Sequence, residues 1–182
     1  DIIMTISSPE SAMAADVVSK EKNKTLKIQL AIDTGFGRFG FLYNNISEAA
    51  KTVLSLEKCE IVGCFSHFSD AFSNKKEHTQ MQFDRFCAAT EDLKARGIDV
   101  KMRHICNSSA FLKYDNMYLD AVRIGSAFLG RVLVENKLNL SKIAYLESKI
   151  CEIKTLPSGY NIGYANTYKT KKETKIAVIP VG

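Results

Sequence analysis

The sequence contains few residues that interrupt regular structure, with ten Gly and three Pro among 182 residues. This scarcity excludes a linker-rich, fibrous or low-complexity protein, and the chain is long enough to bury a hydrophobic core. Trp is absent, but ten Phe and seven Tyr supply aromatic packing. No apolar run approaches the roughly 18 residues of a membrane span, and residues 1–6 lack the basic segment of a signal peptide. We therefore expect a folded cytoplasmic protein of one or two domains.

The five cysteines are odd in number and scattered, with no CxxC pair. Secreted disulfide frameworks are denser and even-numbered, so we predict reduced, mostly buried thiols. Residues 64–67 and 104–106 each combine Cys with His, but neither spacing is a zinc-finger signature. We predict no metal site.

The formal net charge of +5 is spread over many segments. Nucleic-acid binding favours a concentrated basic stripe interleaved with aromatic residues, and the one dense cluster, residues 169–172, does not form such a stripe. We expect no nucleic-acid partner. Attraction of a small anionic ligand stays open.

Apolar periodicity predicts alternating strands and helices in the first 135 residues. The predicted strands are residues 2–6, 26–32, 60–65, 100–106 and 120–124. The predicted helices are residues 9–22, 47–58 and 76–96, the last ending before Gly97, with a short helix after Asn107. For the first helix we expect a capping box formed by Ser7 and Glu10, and an apolar face made of Met13, Ala14, Val17 and Val18.

This alternation implies right-handed βαβ units and a parallel sheet. The predicted fold class is α/β, with residues 1–135 forming part of a (β/α)₈ TIM barrel. Residues 143–182 are predicted to begin a mainly β domain, with turns at 157–159 and 171–173. A complete barrel takes about 250 residues. Because the first residue is also not Met, we expect a piece of a longer protein, cut at both ends.

Chemically capable residues follow the predicted strand ends, which meet at one rim of a barrel: Arg38, His67, Asn107, Ser108 and Arg123. Each has a simpler explanation when taken alone. Arg38 is then a surface residue, His67 a loop residue, Asn107 and Ser108 a helix cap, and Arg123 a partner of Asp120. Their shared position after successive strands favours a common site.

Two of these segments are suited to a phosphate group. Ser108 and Ser109 begin a predicted helix, and Gly125 and Ser126 are expected to leave backbone N–H groups accessible. Free N–H groups of this kind bind anions. Ordinary helix capping is the alternative explanation.

Five segments in this order resemble the alanine racemase family: residues 31–41 (AIDTGFGRFGF), 64–70 (CFSHFSD), 106–110 (CNSSA), 122–125 (VRIG) and 161–168 (NIGYANTY). The final IPVG of residues 179–182 resembles the start of a further family segment. The resemblance covers essentially the whole chain. It implies a barrel that binds pyridoxal 5′-phosphate, a C-terminal β domain, and a homodimer in which each site takes residues from both subunits.

The resemblance also implies individual roles. Arg123 faces the pyridine nitrogen of the cofactor, and His67 lies in the adjoining hydrogen-bond network. Arg38 approaches the phenolic oxygen of the cofactor and the substrate carboxylate, while Tyr164 is the catalytic tyrosine. The implied phosphate pocket comprises Asn107, Ser108, Gly125 and Ser126. The implied activity is two-base interconversion of L-alanine and D-alanine, which supplies D-alanine for peptidoglycan.

Three departures from the family pattern bear on this expectation. The lysine that holds the cofactor covalently lies upstream of residue 1 in the family, so we expect the isolated chain to be inactive. The second domain ends before further family contacts. Ala31 stands where many relatives carry a Lys, so Arg38 needs another means of support. The alternatives are a racemase for another small amino acid such as serine, a decarboxylase of the same fold, or a non-catalytic cofactor-binding module.

Overall fold

The computed structural model describes residues 2–136 and 138–181. The chain divides into two compact units, residues 1–142 and residues 143–182. The first unit is α/β and the second consists of short strands and turns. None of the helices in the described ranges is long and apolar enough to cross a membrane.

A parallel sheet forms the centre of the first unit. Its strands β1 (Met4–Ile6), β2 (Leu26–Asp33), β4 (Cys59–Phe65) and β5 (Arg103–His104) follow one another in chain order across the sheet. The short strand β3 (Phe41–Leu42) pairs with the end of β2. The helices α1 (Pro9–Glu21), α2 (Ile46–Leu54) and α3 (Lys76–Ala95) lie between these strands in the sequence. The predicted alternation is therefore confirmed.

Helix α1 begins differently from the prediction. Ser8 is the N-cap and its hydroxyl accepts the backbone N–H of Ser11. The Ser11 hydroxyl in turn accepts the N–H of Ser8, which completes the capping box. The predicted pair of Ser7 and Glu10 was wrong by one position, because serine at the third helical position performs the role usually taken by Glu.

The predicted apolar face of α1 was also wrong. Met13, Val17 and Val18 are each more than half exposed, at 58%, 53% and 52%. The buried side is made instead of Ala12, Ala15, Asp16 and Ser19. Asp16 determines this orientation, because its Oδ1 accepts the N–H groups of Glu57 and Lys58, each at 3.0 Å.

The two faces of β2 differ in character. Ile28, Leu30 and Ile32 are buried in the hydrophobic core with residues of the helices. Gln29, on the alternate face, places Oε1 3.1 Å from Nε2 of His104 on β5. Because side chains alternate along a strand, β2 supplies the core on one side and polar contacts on the other.

Helix α3 ends as predicted, with Arg96 as its C-cap and Gly97 at a φ of +82°. Strand β5, by contrast, covers only two of the residues predicted at 100–106. The predicted strand at 120–124 is absent from the described residues as regular structure. The segment still lies beside β5, since the Asp120 N–H donates to the Arg103 carbonyl and the Arg123 N–H donates to the Cys106 carbonyl.

The second unit contains two antiparallel pairs. Strand β6 (Glu152–Leu156) pairs with β9 (Thr174–Val178), and β7 (Asn161–Ile162) pairs with β8 (Tyr168–Lys169). The chain turns at residues 157–159 and 171–173, as predicted. A short 3₁₀ turn, Tyr164–Asn166, connects β7 and β8.

Candidate active site

Arg123 is the centre of a hydrogen-bond network at the carboxyl ends of the strands. Its Nη2 donates to the Ser66 carbonyl at 2.6 Å and to Nδ1 of His67 at 2.9 Å. Its Nη1 donates to the His104 carbonyl at 3.1 Å and also contacts Nδ1 of His104. Within residues 2–136 and 138–181, no carboxylate forms an ion pair with Arg123; Asp120 pairs with Arg103 at 3.1 Å instead.

Both histidines that contact Arg123 are neutral at neutral pH. Burial, together with the charges of Arg123 and Arg38, lowers the pKa of His67 to about 4. Burial and the charge of Arg123 lower the pKa of His104 to about 4. Because a guanidinium can only donate hydrogen bonds, Nδ1 is the acceptor in each ring and Nε2 carries the proton. The protonated Nε2 of His104 therefore donates to Gln29.

The aromatic ring of Phe65 packs against this network. The ring of Phe65 stacks on that of His104, with centroids 5.4 Å apart and planes inclined by 5°. The guanidinium carbon of Arg123 lies 5.3 Å from the centroid of the Phe65 ring. These contacts fix the plane of the His104 ring and place one side of the Arg123 cation against an aromatic surface.

Arg38 lies on the loop that follows β2. Its guanidinium is 4.3 Å from the centroid of Phe36 and 4.9 Å from that of Phe39. Phe36 in turn meets His67 edge-on, at 5.6 Å between centroids. Across the described ranges, no side chain or carbonyl hydrogen-bonds to the Arg38 guanidinium, so its N–H groups are available to an anion.

The Arg38 loop is held by Asp33 and Gly40. Asp33 Oδ1 accepts the N–H groups of Gly35 and Phe36 at 2.8 and 2.9 Å, and Oδ2 accepts that of Gly37 at 3.0 Å. Gly40 has a φ of +121°, and a Cβ there would lie 2.9 Å from the Ala31 carbonyl oxygen. Only glycine fits this position without strain.

A cavity of about 260 Å³ adjoins Arg123. It is lined by His67, Asn107, Ser108, Ser109, Arg123, Gly125 and Ser126. The structure thus brings six predicted site residues to one cavity, from three different segments. Arg38 is not among its lining residues, although its charge reaches His67 and Arg123.

The proposed anion-binding groups are arranged differently from the prediction. The N–H of Gly125 is not free, because it donates to Ser108 Oγ at 2.9 Å, as does the N–H of Ala127 at 3.2 Å. Ser108 Oγ thus accepts two backbone N–H groups, which leaves its own hydrogen available to an acceptor. Asn107 caps the helix α4 (Ser108–Lys113) through the Ala110 N–H and also donates to the Phe68 carbonyl.

Tyr164 belongs to the second unit and its side chain is 100% exposed. It begins the 3₁₀ turn between Gly163, at a φ of +75°, and Ala165, at a φ of +56°. Its predicted catalytic role stays a prediction.

All five cysteines are free thiols. Cys64 and Cys106 are buried, and burial raises their pKa values to about 12 and about 11. Cys59 and Cys87 are half-buried and Cys151 is exposed. Fewer thiols are therefore buried than the sequence predicted.

Several residues of the network were not predicted as site residues. Its spacing from Cys106 marked His104 only as a zinc-ligand candidate, although its position near the end of a predicted strand was a usable signal. Ser66 contributes through its backbone carbonyl, so no sequence pattern distinguishes it. Phe36 lies inside the segment that carries Arg38.

Comparison with known proteins assigns the family. The sequence model described as "Alanine racemase, N-terminal domain" matches residues 1–131, and that described as "Alanine racemase, C-terminal domain" matches residues 143–182. The chain belongs to the alanine racemase family. The predicted resemblance is therefore confirmed.

Curated relatives include the alanine racemase of Methanococcus maripaludis, 34% identical over 187 residues, and that of Clostridium tetani, 36% identical over 187 residues. Each match covers 100% of this chain but 50% and 48% of the relative. The chain thus spans about half the length of these alanine racemases.

Solved alanine racemases share the fold. The enzyme from the D-cycloserine producer Streptomyces lavendulae superposes with a TM-score of 0.76 at 27% identity, covering 100% of this chain and 50% of the other. The Bacillus anthracis enzyme with bound L-Ala-P gives 0.75 at 28% identity, with coverages of 100% and 48%. The Bartonella henselae enzyme, with covalently bound pyridoxal phosphate, gives 0.68 at 20% identity, with coverages of 100% and 49%. The fold class, part of a TIM barrel followed by a C-terminal domain, is confirmed.

Proposed function

We propose that the natural gene product that includes this chain interconverts L-alanine and D-alanine with pyridoxal 5′-phosphate as cofactor. Family membership supports this proposal. The observation that carries it is the environment of Arg123, a cation held by two neutral histidines and two carbonyls at the edge of a polar cavity.

The residues of the cavity fit a phosphate-bearing cofactor. The lining contains three serines, an asparagine and a glycine, and within the described part of the chain it includes no carboxylate that would repel an anion. Gly125 leaves space here, because a Cβ at this position would meet nothing within 4 Å. Ser108 has a hydroxyl hydrogen to donate, and Arg123 supplies positive charge. We assign Asn107, Ser108, Gly125 and Ser126 to the phosphate group.

When bound, pyridoxal phosphate supplies an electron-withdrawing ring that acidifies the α-hydrogen of an attached amino acid. Arg123 can donate a hydrogen bond to a ring nitrogen but does not give up its proton. The neutral His67 and His104 hold the guanidinium in one orientation without neutralising its charge. Because its guanidinium keeps its proton, Arg123 would leave the ring nitrogen unprotonated, which would weaken the electron sink compared with a protonated ring and limit side reactions such as transamination.

Arg38 suits the carboxylate of a small amino acid. Its guanidinium keeps its donors available while the rings of Phe36 and Phe39 hold its plane, and a planar fork of donors matches a carboxylate. We assign Arg38 to the substrate carboxylate and to the phenolic oxygen of the cofactor.

Racemisation needs two proton-transfer groups on opposite faces of the substrate. We propose Tyr164 as one of them and the family's cofactor-binding lysine as the other. A homodimer in which Tyr164 serves the partner's barrel belongs to the same proposal, as does a role in supplying D-alanine for peptidoglycan.

The test uses the natural gene product loaded with pyridoxal phosphate. L-alanine and L-serine are supplied separately, and formation of each D-enantiomer is followed by chiral chromatography. Exchange of the α-hydrogen is measured in D₂O. We expect D-alanine to form faster than D-serine, with exchange accompanying both. Arg123→Ala is expected to abolish both signals.

The other candidate activities give different results. A racemase that prefers serine would form D-serine faster than D-alanine. A decarboxylase would release carbon dioxide from an amino acid. A protein that binds the cofactor without promoting exchange is a binding module. Each of these outcomes contradicts the proposal.

A further inference from the structure

Gln82 is a polar side chain that is fully buried. It lies on α3 and is 0% exposed. Its Oε1 accepts the Ser69 N–H at 2.9 Å and the Ser69 hydroxyl at 3.1 Å. Its Nε2 donates to the His67 carbonyl at 3.1 Å and to Thr34 Oγ1 at 3.4 Å. All four hydrogen-bonding positions of the carboxamide are used.

The orientation of this carboxamide is fixed by its partners. A backbone N–H can only donate and a carbonyl can only accept. Rotating the amide by 180° would place its NH₂ group against the Ser69 N–H and its oxygen against the His67 carbonyl. Both contacts would be lost, and a buried unpaired polar group costs about 1–3 kcal/mol. The side chain is therefore held in one state.

The partners of Gln82 belong to two loops. Thr34 begins the loop that carries Arg38, and residues 67–69 lie in the loop that follows β4. The two loops also touch directly, because the hydroxyl oxygens of Thr34 and Ser66, both buried, are 2.8 Å apart. Arg85, one turn along α3 from Gln82, donates to the Thr34 carbonyl at 3.1 Å.

The loop that follows β4 also makes two of the contacts to Arg123. The Ser66 carbonyl and His67 Nδ1 both accept from its Nη2. A shift of residues 66–69 therefore changes the positions of two acceptors relative to the guanidinium. Gln82 itself is not a lining residue of the cavity.

We propose that Gln82 is a positioning residue: it binds the backbone of residues 67–69 and the hydroxyl of Thr34, and so places Ser66 and His67 against Arg123. This inference rests on the proposed function for its catalytic consequence only. The positioning itself is measurable in the absence of any reaction.

The decisive measurement is the protonation state of the His67 ring, observed by NMR in the natural gene product with its cofactor. Burial and the charges of Arg123 and Arg38 keep this ring neutral until the pH approaches about 4. A loop released from Gln82 would admit water and separate His67 from Arg123, so the ring would titrate nearer the ordinary value of about 6.5. The spectra are compared at a pH midway between these values.

The principal variant is Gln82→Met, which keeps the length of the side chain and removes its hydrogen bonds. The matched control is Gln80→Met, the same change on an exposed residue of the same helix, where the amide donates to the exposed Asp84. We expect His67 to become protonated in Gln82→Met and to stay neutral in Gln80→Met. We also expect kcat to fall about tenfold in Gln82→Met with a smaller change in KM.

A second pair of variants decides the question if Gln82→Met does not fold. Thr34→Val removes the hydroxyl that joins Ser66 and Gln82, whereas Thr34→Ser retains it. Protonation of His67 in Thr34→Val and its absence in Thr34→Ser support the proposal. A folded Gln82→Met or Thr34→Val in which His67 stays neutral, as in the native protein, overturns it.

Failure of the proposed function would be recognised separately. A native protein that does not racemise alanine contradicts that function, while the His67 titration still decides the role of Gln82.

Discussion

The Nη2 atom of Arg123 lies 2.9 Å from Nδ1 of His67, which joins a permanent cation to a neutral imidazole. Nη1 contacts His104 in the same manner. A carboxylate partner would neutralise the guanidinium, whereas two imidazoles orient it and leave its charge available. Burial, with this charge as a second cause, lowers the pKa of both histidines and keeps them neutral.

The neutral histidines make stability depend on pH. Both pKa values are lowered to about 4 in the folded protein, against about 6.5 in an unfolded chain. Between these values the unfolded state binds more protons, so the free energy of unfolding falls as the pH drops below about 6.5. At pH 5 we expect the neutral state of His104 to reduce the free energy of unfolding by roughly 2 kcal/mol, and that of the more accessible His67 to reduce it by less.

Urea unfolding of the natural gene product at pH 7 and pH 5 measures this effect. His104→Gln should remove roughly 2 kcal/mol of the difference between the two pH values. An unchanged difference in that variant would contradict the assignment of a neutral, buried His104.

The aromatic support of Arg38 gives a second prediction. Phe36→Leu and Phe39→Leu each remove one cation–π contact, worth about 0.5–1 kcal/mol at exposed positions. If Arg38 binds the substrate carboxylate, KM for alanine should rise about two- to fivefold in each variant. Steady-state kinetics provide the measurement.

Phe72→Leu is the matched control for this pair. Phe72 is 50% exposed, as is Phe39, and lies on a different loop. A KM that rises equally in all three variants would show that general loss of apolar surface, and not the support of Arg38, is responsible.

Gly40→Ala gives a third prediction, concerning stability. The new Cβ would lie 2.9 Å from the Ala31 carbonyl oxygen, at a backbone φ of +121°. We expect the loss to exceed about 2 kcal/mol, since the variant combines backbone strain with a steric clash. Gly37→Ala, at a φ of +71° with nothing within 4 Å, should lose only about 1 kcal/mol. Equal losses in urea unfolding would contradict the close approach at Gly40.

Mixed dimers test whether Tyr164 serves the partner's site. Arg123→Ala and Tyr164→Phe proteins, each nearly inactive, are unfolded and refolded together. If Tyr164 acts across the dimer, a mixed dimer holds one doubly altered site and one intact site, and roughly a quarter of all sites recover. If Tyr164 acts within its own chain, every site carries one lesion and activity does not return. Mass spectrometry confirms that mixed dimers are present.

The sequence predicted the order of strands and helices because apolar periodicity and the terminating Gly97 are local signals. The orientation of α1 could not be predicted in this way. Met13, Val17 and Val18 form an apolar stripe, but Asp16 binds two N–H groups more than 40 residues away and turns the helix. Hydropathy alone does not report such a contact.

Residues of the site differ in how far local sequence pattern could identify them. The strand-end rule pointed to His67, Asn107, Ser108 and Arg123, since it depends only on where strands end. His104 and Gln82 act through partners distant in sequence, and Gln82 is a polar residue on the buried face of α3. Tertiary packing determines these partners, so local pattern could place His104 near a strand end but could not identify Gln82 as part of the site.

The alternating faces of β2 connect the pairing of the strands to the arrangement of the candidate active site. Ile28, Leu30 and Ile32 pack in the core, while the intervening Gln29 meets His104. A shift of β2 by one residue against β4 would send Gln29 into the core and Leu30 towards the imidazole. Such a chain would lose its apolar packing and its support for Arg123 together. The contact between Gln29 and His104 therefore depends on the correct pairing of β2 with β4.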